Sequence, residues 1–120
     1  MGISVENEAL GVIKVRVAGR VTSQAWHAAL ENVAKLLKPD QGTSILLAAE
    51  GFEGWEPGNW DDLSFQREND ARITRIAIVA EKRWEEQMLM FAGQGLRKVD
   101  IKFFEPLEAA RARDWVSSGG

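Results

Sequence analysis

Five carboxylates crowd one short stretch of the chain: Glu50, Glu53, Glu56, Asp61 and Asp62. Paired carboxylates can move protons or hold a hard cation, but a cation needs its oxygens at set positions. The alternation of Asp and Asn ahead of a glycine that marks a calcium loop is missing. The acids therefore read as a solvated rim, with Asp61 and Asp62 suited to the positive N-terminal end of a helix. His27 is the one histidine, and cysteine does not occur. Thiol nucleophiles, disulfides and cysteine metal sites are thereby removed, and His27 lacks the partners of a triad or a zinc site. An exposed helical imidazole is the expected reading. Gly93-Gln94-Gly95 resembles part of a phosphate-cradling loop, yet it follows a helical stretch and reads as a helix C-cap. The residues nominate no catalytic group, metal or cofactor, and the chain is expected to be non-enzymatic.

What remains to be explained is aromatic. Gly51 to Trp60 reads Gly-Phe-Glu-Gly-Trp-Glu-Pro-Gly-Asn-Trp, and Phe52, Trp55 and Trp60 must bury against something. The glycines and Pro57 argue against a regular helix or strand through the middle of this segment. A loop is expected, its rings forming a wall or lid beside a helix start. Lys82-Arg83 opens a later helix, against its dipole, at the carboxyl end of a strand where open α/β sheets bind ligands. Glu85 and Glu86 stand close enough in sequence to neutralise the pair. Trp84, Met88 and Phe91 recur at helical spacing and face a core. Met88, Leu89 and Met90 are successive apolar positions, so at least one of the three points outward. Methionine suits an adaptable surface. The candidate ligand-binding residues are Phe52, Trp55, Trp60, Trp84 and Met88.

The elements that must position them follow from periodicity. Ile3 and Val5, then Ile13, Val15 and Val17, alternate with polar residues across Leu10-Gly11, which predicts a hairpin. Thr22 or Ser23 caps a helix carrying Trp26, Leu30, Val33 and Leu37 as one stripe, ending before Pro39. Ile45 to Ala49 and Ile76 to Ala80 are short, continuous and apolar, as central strands are. Asn59 or Asp61 starts a short helix to about Glu68. Val99, Ile101 and Phe103 alternate, and a last helix begins near Pro106. The order β-β-α-β-α-β-α-β-α predicts an α/β fold with a mostly parallel sheet and right-handed crossovers. Residues 1–116 form the domain, and the tail from Ser117 is expected to fray.

With 120 residues, 45% hydrophobic and 28% charged, the chain suffices for one folded core. A net charge of −3 with scattered basic residues gives no footprint for nucleic acid. No run reaches the ~20 apolar residues of a membrane span, and the start lacks a signal peptide's basic and apolar regions. Asn7 stands where a myristoylation signal wants Ser or Thr. A soluble, cytoplasmic protein is expected, with peripheral membrane contact left open.

Three segments, Glu50-Gly51-Phe52-Glu53-Gly54-Trp55, Trp60-Asp61-Asp62-Leu63 and Glu81-Lys82-Arg83-Trp84-Glu85-Glu86, together with this element order, resemble the SpoIIAA-like family, relatives of STAS domains. The likeness runs from about Gly11 to Trp115. It implies a small α/β domain with helices largely on one face of the sheet, a homodimer, and a role in binding a lipid or other hydrophobic ligand. Anti-anti-sigma STAS proteins carry a phosphorylatable Ser or Thr after their third strand. This chain has neither between Ser44 and Ser64, so the phosphoswitch does not carry over. The alternative reading is a STAS-type regulatory domain that meets a partner protein without that serine.

Overall fold

The period-two alternation of the first segment produces two antiparallel strands, β1 (Gly2–Ala9) and β2 (Val12–Val21). Ile3 stands opposite Val17 and Val5 opposite Val15, with Gly11 turning between the strands at a φ of 77°. The computed structural model describes residues 2–9, 11–37, 42–49, 51–57, 72–92 and 99–117.

The other side of β2 takes β3 (Thr43–Ala48) in parallel, Ile13 beside Ile45 and Val15 beside Leu47. Every β3 residue is buried, which is why its sequence runs apolar without alternation. Phe52–Trp55 forms a short strand, β4, then β5 (Ile73–Val79) and β6 (Asp100–Phe104) follow. Among the described residues the sheet is ordered β1-β2-β3-β5-β6, with β4 on β2 and only β1 antiparallel to its neighbour.

β4 corrects the expectation of a loop. β2 outruns β3, and its last residues leave backbone groups unpaired on that side. Phe52 and Trp55 take up those positions opposite Gly19 and Val21, with a register shift between Gly19 and Arg20. Gly51 and Gly54, at φ values of 71° and 126°, supply the turns that let the chain break from β3 and rejoin the same neighbour.

Helix α1 spans Ser23–Leu36 and is capped by Thr22, whose Oγ1 accepts from the Ala25 N–H at 3.1 Å. A 3-10 turn, Lys82–Trp84, leads into α2 (Glu85–Ala92), and a second, Pro106–Glu108, into α3 (Ala109–Ser117). The expected Trp84 helix is therefore split, with Trp84 in the tighter turn. Ser117 closes α3 instead of opening a tail. The helix expected to end near Glu68 lies outside the described residues.

The alternation sorts the core into two layers. Ile13, Val15, Ile45, Leu47, Ile76 and Ile78 pack with Val33 of α1, Leu37 at its C-cap and Met88 of α2 on one face. Val12, Leu46, Ala77, Val79 and Phe104 pack with Ala112 and Val116 of α3 on the other. Two of the three described helices thus share a face, as expected of helices largely on one side.

Candidate functional site

Four rings from three elements meet where the parallel strands end. Trp26 enters from the first turn of α1, Phe52 and Trp55 from β4, and Trp84 from the turn after β5. They form a chain of edge-to-face contacts. Trp26 and Trp55 have centroids 6.3 Å apart, Trp55 and Phe52 4.7 Å, and Phe52 and Trp84 4.9 Å. Such perpendicular arrangements match the quadrupoles of the rings, positive edge to negative face.

The predicted residues divide by depth. Phe52 is 1% exposed and Met88 fully buried, so both are core under the site. Trp55 and Trp84 are only partly buried and form its outer surface. Trp60 lies outside the described residues. Trp26 was not foreseen as a member. Its place on the apolar stripe of α1 was legible, but its meeting with Trp55 is a tertiary contact that no local pattern carries. Met90, 74% exposed, is the outward member of the methionine run.

Gly54 is the seat of Trp84. A Cβ at Gly54 would lie 3.7 Å from Cη2 of the indole, so the ring rests against bare backbone. The indole Nε1 of Trp84 is buried and has no acceptor among the described residues. A buried donor in that state forfeits about 1–3 kcal/mol.

Polar contacts frame the rings. Gly19 N–H donates to the Gly51 carbonyl at 2.9 Å, Glu56 N–H donates to the Val21 carbonyl at 2.8 Å, and Arg20 pairs with the Glu56 carboxylate at 3.3 Å. These hold β4 to β2. Arg83 lies 5.1 Å from the Trp84 ring centroid and pairs with Glu81 at 3.4 Å, so its charge is met by the preceding acid, where Glu85 and Glu86 were expected. His27 is half-buried on α1. Among the described residues no three His, Asp or Glu side chains gather as a metal ion would require. The surface can receive an apolar group, and beneath it the Trp84 indole Nε1 is, among the described residues, the one buried side-chain donor without an acceptor.

A concavity of about 450 Å³ opens away from these rings, between β6 and α3, lined by Lys102, Phe104, Glu108, Arg111, Asp114 and Trp115 among others. It belongs to the opposite face of the sheet.

A mostly parallel sheet with an aromatic cluster over the carboxyl ends of its strands defines a small α/β domain of the STAS type. The sequence pattern of the SpoIIAA-like family matches residues 12–117, and the chain belongs to that family. The fold is similar to the crystal structure of an uncharacterized protein of the DUF3478 family from Shewanella loihica PV-4, which has a SpoIIAA-like fold. The two share 18% identity, with a TM-score of 0.71 over 96% of this chain and 92% of that one. No curated protein matches the sequence. No described helix is long and apolar enough to cross a membrane.

Proposed function

We propose that this protein is a non-enzymatic binding module that holds a lipid or other hydrophobic ligand against the aromatic end of its sheet. One observation carries the reading: Trp55 and Trp84 present partly exposed indoles on a buried Phe52 floor at the carboxyl ends of parallel strands. Ligands of open α/β sheets bind at those ends. Large partly exposed rings over a rigid base give an apolar ligand area without the ordering cost of flexible side chains. Phe52 and Met88 act from below, by fixing the outer rings.

The test is native mass spectrometry of freshly purified protein, with solvent extraction of the same sample and titration with oleate as a probe. A retained mass that extracts as a lipid, and oleate binding that falls at least tenfold in Trp55→Ala, support the reading. A clean protein mass with no oleate binding overturns it. Met90 favours a second reading, since an exposed methionine on α2 suits a partner protein. A STAS-type regulatory contact would then be lost in Met90→Asp while oleate binding stayed unchanged.

A further inference from the structure

The concavity between β6 and α3 lies on the face of the sheet opposite α1 and α2, and it takes no part in the binding proposed at the aromatic end. Alternation along β6 turns Lys102 and Phe104 to the same side. Facing them, Glu108, Arg111 and Trp115 recur at i, i+3 and i+7 as one ridge, with Asp114 beside it. The walls are fixed before any ligand arrives. Phe104 is buried and tilted against Trp115, their centroids 6.1 Å apart. Arg75 holds Trp115 from behind, bonding its carbonyl at 2.7 Å and lying 4.9 Å from its ring centroid. At about 450 Å³ the space is of a size with small-molecule clefts, which run from about 300 to 1,000 Å³.

The charges around this space are not all matched. Glu108 engages both carboxylate oxygens, Oε1 with the Glu105 N–H at 3.1 Å and Oε2 with Arg111 at 2.9 Å. That bond takes one of the five N–H groups of the guanidinium. The Lys102 ammonium lies 5.4 Å from the Phe104 ring centroid and has no hydrogen-bond acceptor among the described residues. Asp114 is exposed and, among the described residues, has neither an ion pair nor a hydrogen bond. Lys102 and Arg111 therefore offer donors, Asp114 offers an acceptor, and two rings supply apolar area. A purely anionic ligand would be repelled by Asp114, and a purely cationic one by Lys102 and Arg111. A zwitterion satisfies both signs, and ring walls suit a flat body. We propose that this groove binds an aromatic α-amino acid, its carboxylate accepting from Lys102 and Arg111, its ammonium donating to Asp114, and its ring lying against Phe104 and Trp115.

The test is amide NMR of the whole chain titrated with L-tryptophan and with two analogues that each lack one charge, indole-3-propionate and tryptamine. Expected are saturable shifts at Lys102, Arg111 and Trp115 with L-tryptophan, and binding about tenfold weaker for either analogue. Asp114→Asn should weaken L-tryptophan about tenfold without weakening indole-3-propionate. Lys102→Gln should weaken both of these and spare tryptamine. Both substituted residues are exposed, and the dispersion of each variant's spectrum reports that it is folded. Absence of shifts at the groove with L-tryptophan overturns the proposal. Shifts confined to Trp55 and Trp84 also overturn it, by placing the molecule at the aromatic end. Equal affinity in Asp114→Asn does so as well, by reducing the contact to stacking of the indole.

Discussion

The indole of Trp84 meets Phe52 edge to face at 4.9 Å, yet its Nε1 is buried without an acceptor among the described residues. Two opposing terms act at this ring. Its burial contributes at about 25 cal/mol per Å², while its unmatched donor costs about 1–3 kcal/mol. Trp84→Phe deletes the donor and part of the area together. Its stability, read from the midpoint of urea unfolding, should stay within about 1 kcal/mol of wild type. Trp84→Ala should cost about 3 kcal/mol. A phenylalanine variant as unstable as the alanine one would mean that the N–H has a partner after all.

Gly54 and Gly51 separate conformational strain from crowding. An added methyl at Gly54 makes ordinary contact with Trp84 at 3.7 Å, and one at Gly51 meets nothing within 4 Å. Sterically, both alanine substitutions are tolerable. The backbone differs: a φ of 71° at Gly51 is the left-handed well that other residues visit, whereas 126° at Gly54 lies beyond it. Gly51→Ala should cost about 1 kcal/mol and Gly54→Ala about 2–3 kcal/mol, both by thermal or urea unfolding. Equal costs would argue against this account of β4.

The same two glycines show why β4 was illegible while its neighbours were not. β1, β2 and β6 announce themselves by alternation, and β3 and β5 by unbroken apolar runs, because burial on one or two faces writes a pattern into each strand. The Thr22 cap was legible for a similar reason, since the bond it makes is three residues away. Phe52–Trp55 carries no such pattern. It is a strand only because β2 runs on past β3, and Gly19 and Phe52 are far apart in sequence. The candidate rings were legible as residue types, but not their depth. Phe52 and Met88 are core and Trp55 is surface, although sequence gives all three the same apolar character. Trp26 joins them only through the path of α1.

On the opposite face, Arg75 of β5 donates to the Trp115 carbonyl at 2.7 Å, and its guanidinium lies 4.9 Å from the Trp115 ring centroid. One side chain thus serves an orphan carbonyl of the last turn of α3, the negative end of its dipole, and the ring's face. Arg75→Ala should cost about 2–3 kcal/mol, with amide exchange accelerated first at the C-terminal turn of α3. Arg75→Lys keeps the charge but not the planar stack, and should recover less than half of the loss. Full recovery by lysine would assign the contact to charge alone.

Glu108 supplies a pH dependence whose sign is fixed. Its carboxylate accepts from the Glu105 N–H at 3.1 Å and from Arg111 at 2.9 Å. The backbone bond, ahead of Arg111 and the more distant Lys102, holds the carboxyl below its ordinary value of 4.5. A folded-state value lower than the unfolded one means that protons prefer the unfolded chain. The contribution is therefore whole above pH 4.5 and is lost as pH falls through the lower folded value. Carbon-detected NMR titration should place the Glu108 midpoint below 4.5. Because the first cause is the backbone N–H, Arg111→Ala should raise that midpoint without returning it to the ordinary value. Glu108→Gln, neutral at every pH, should be less stable than wild type near neutrality and converge with it in acid. An unchanged gap down to the acid limit would show that Glu108 acts through shape and not through its charge.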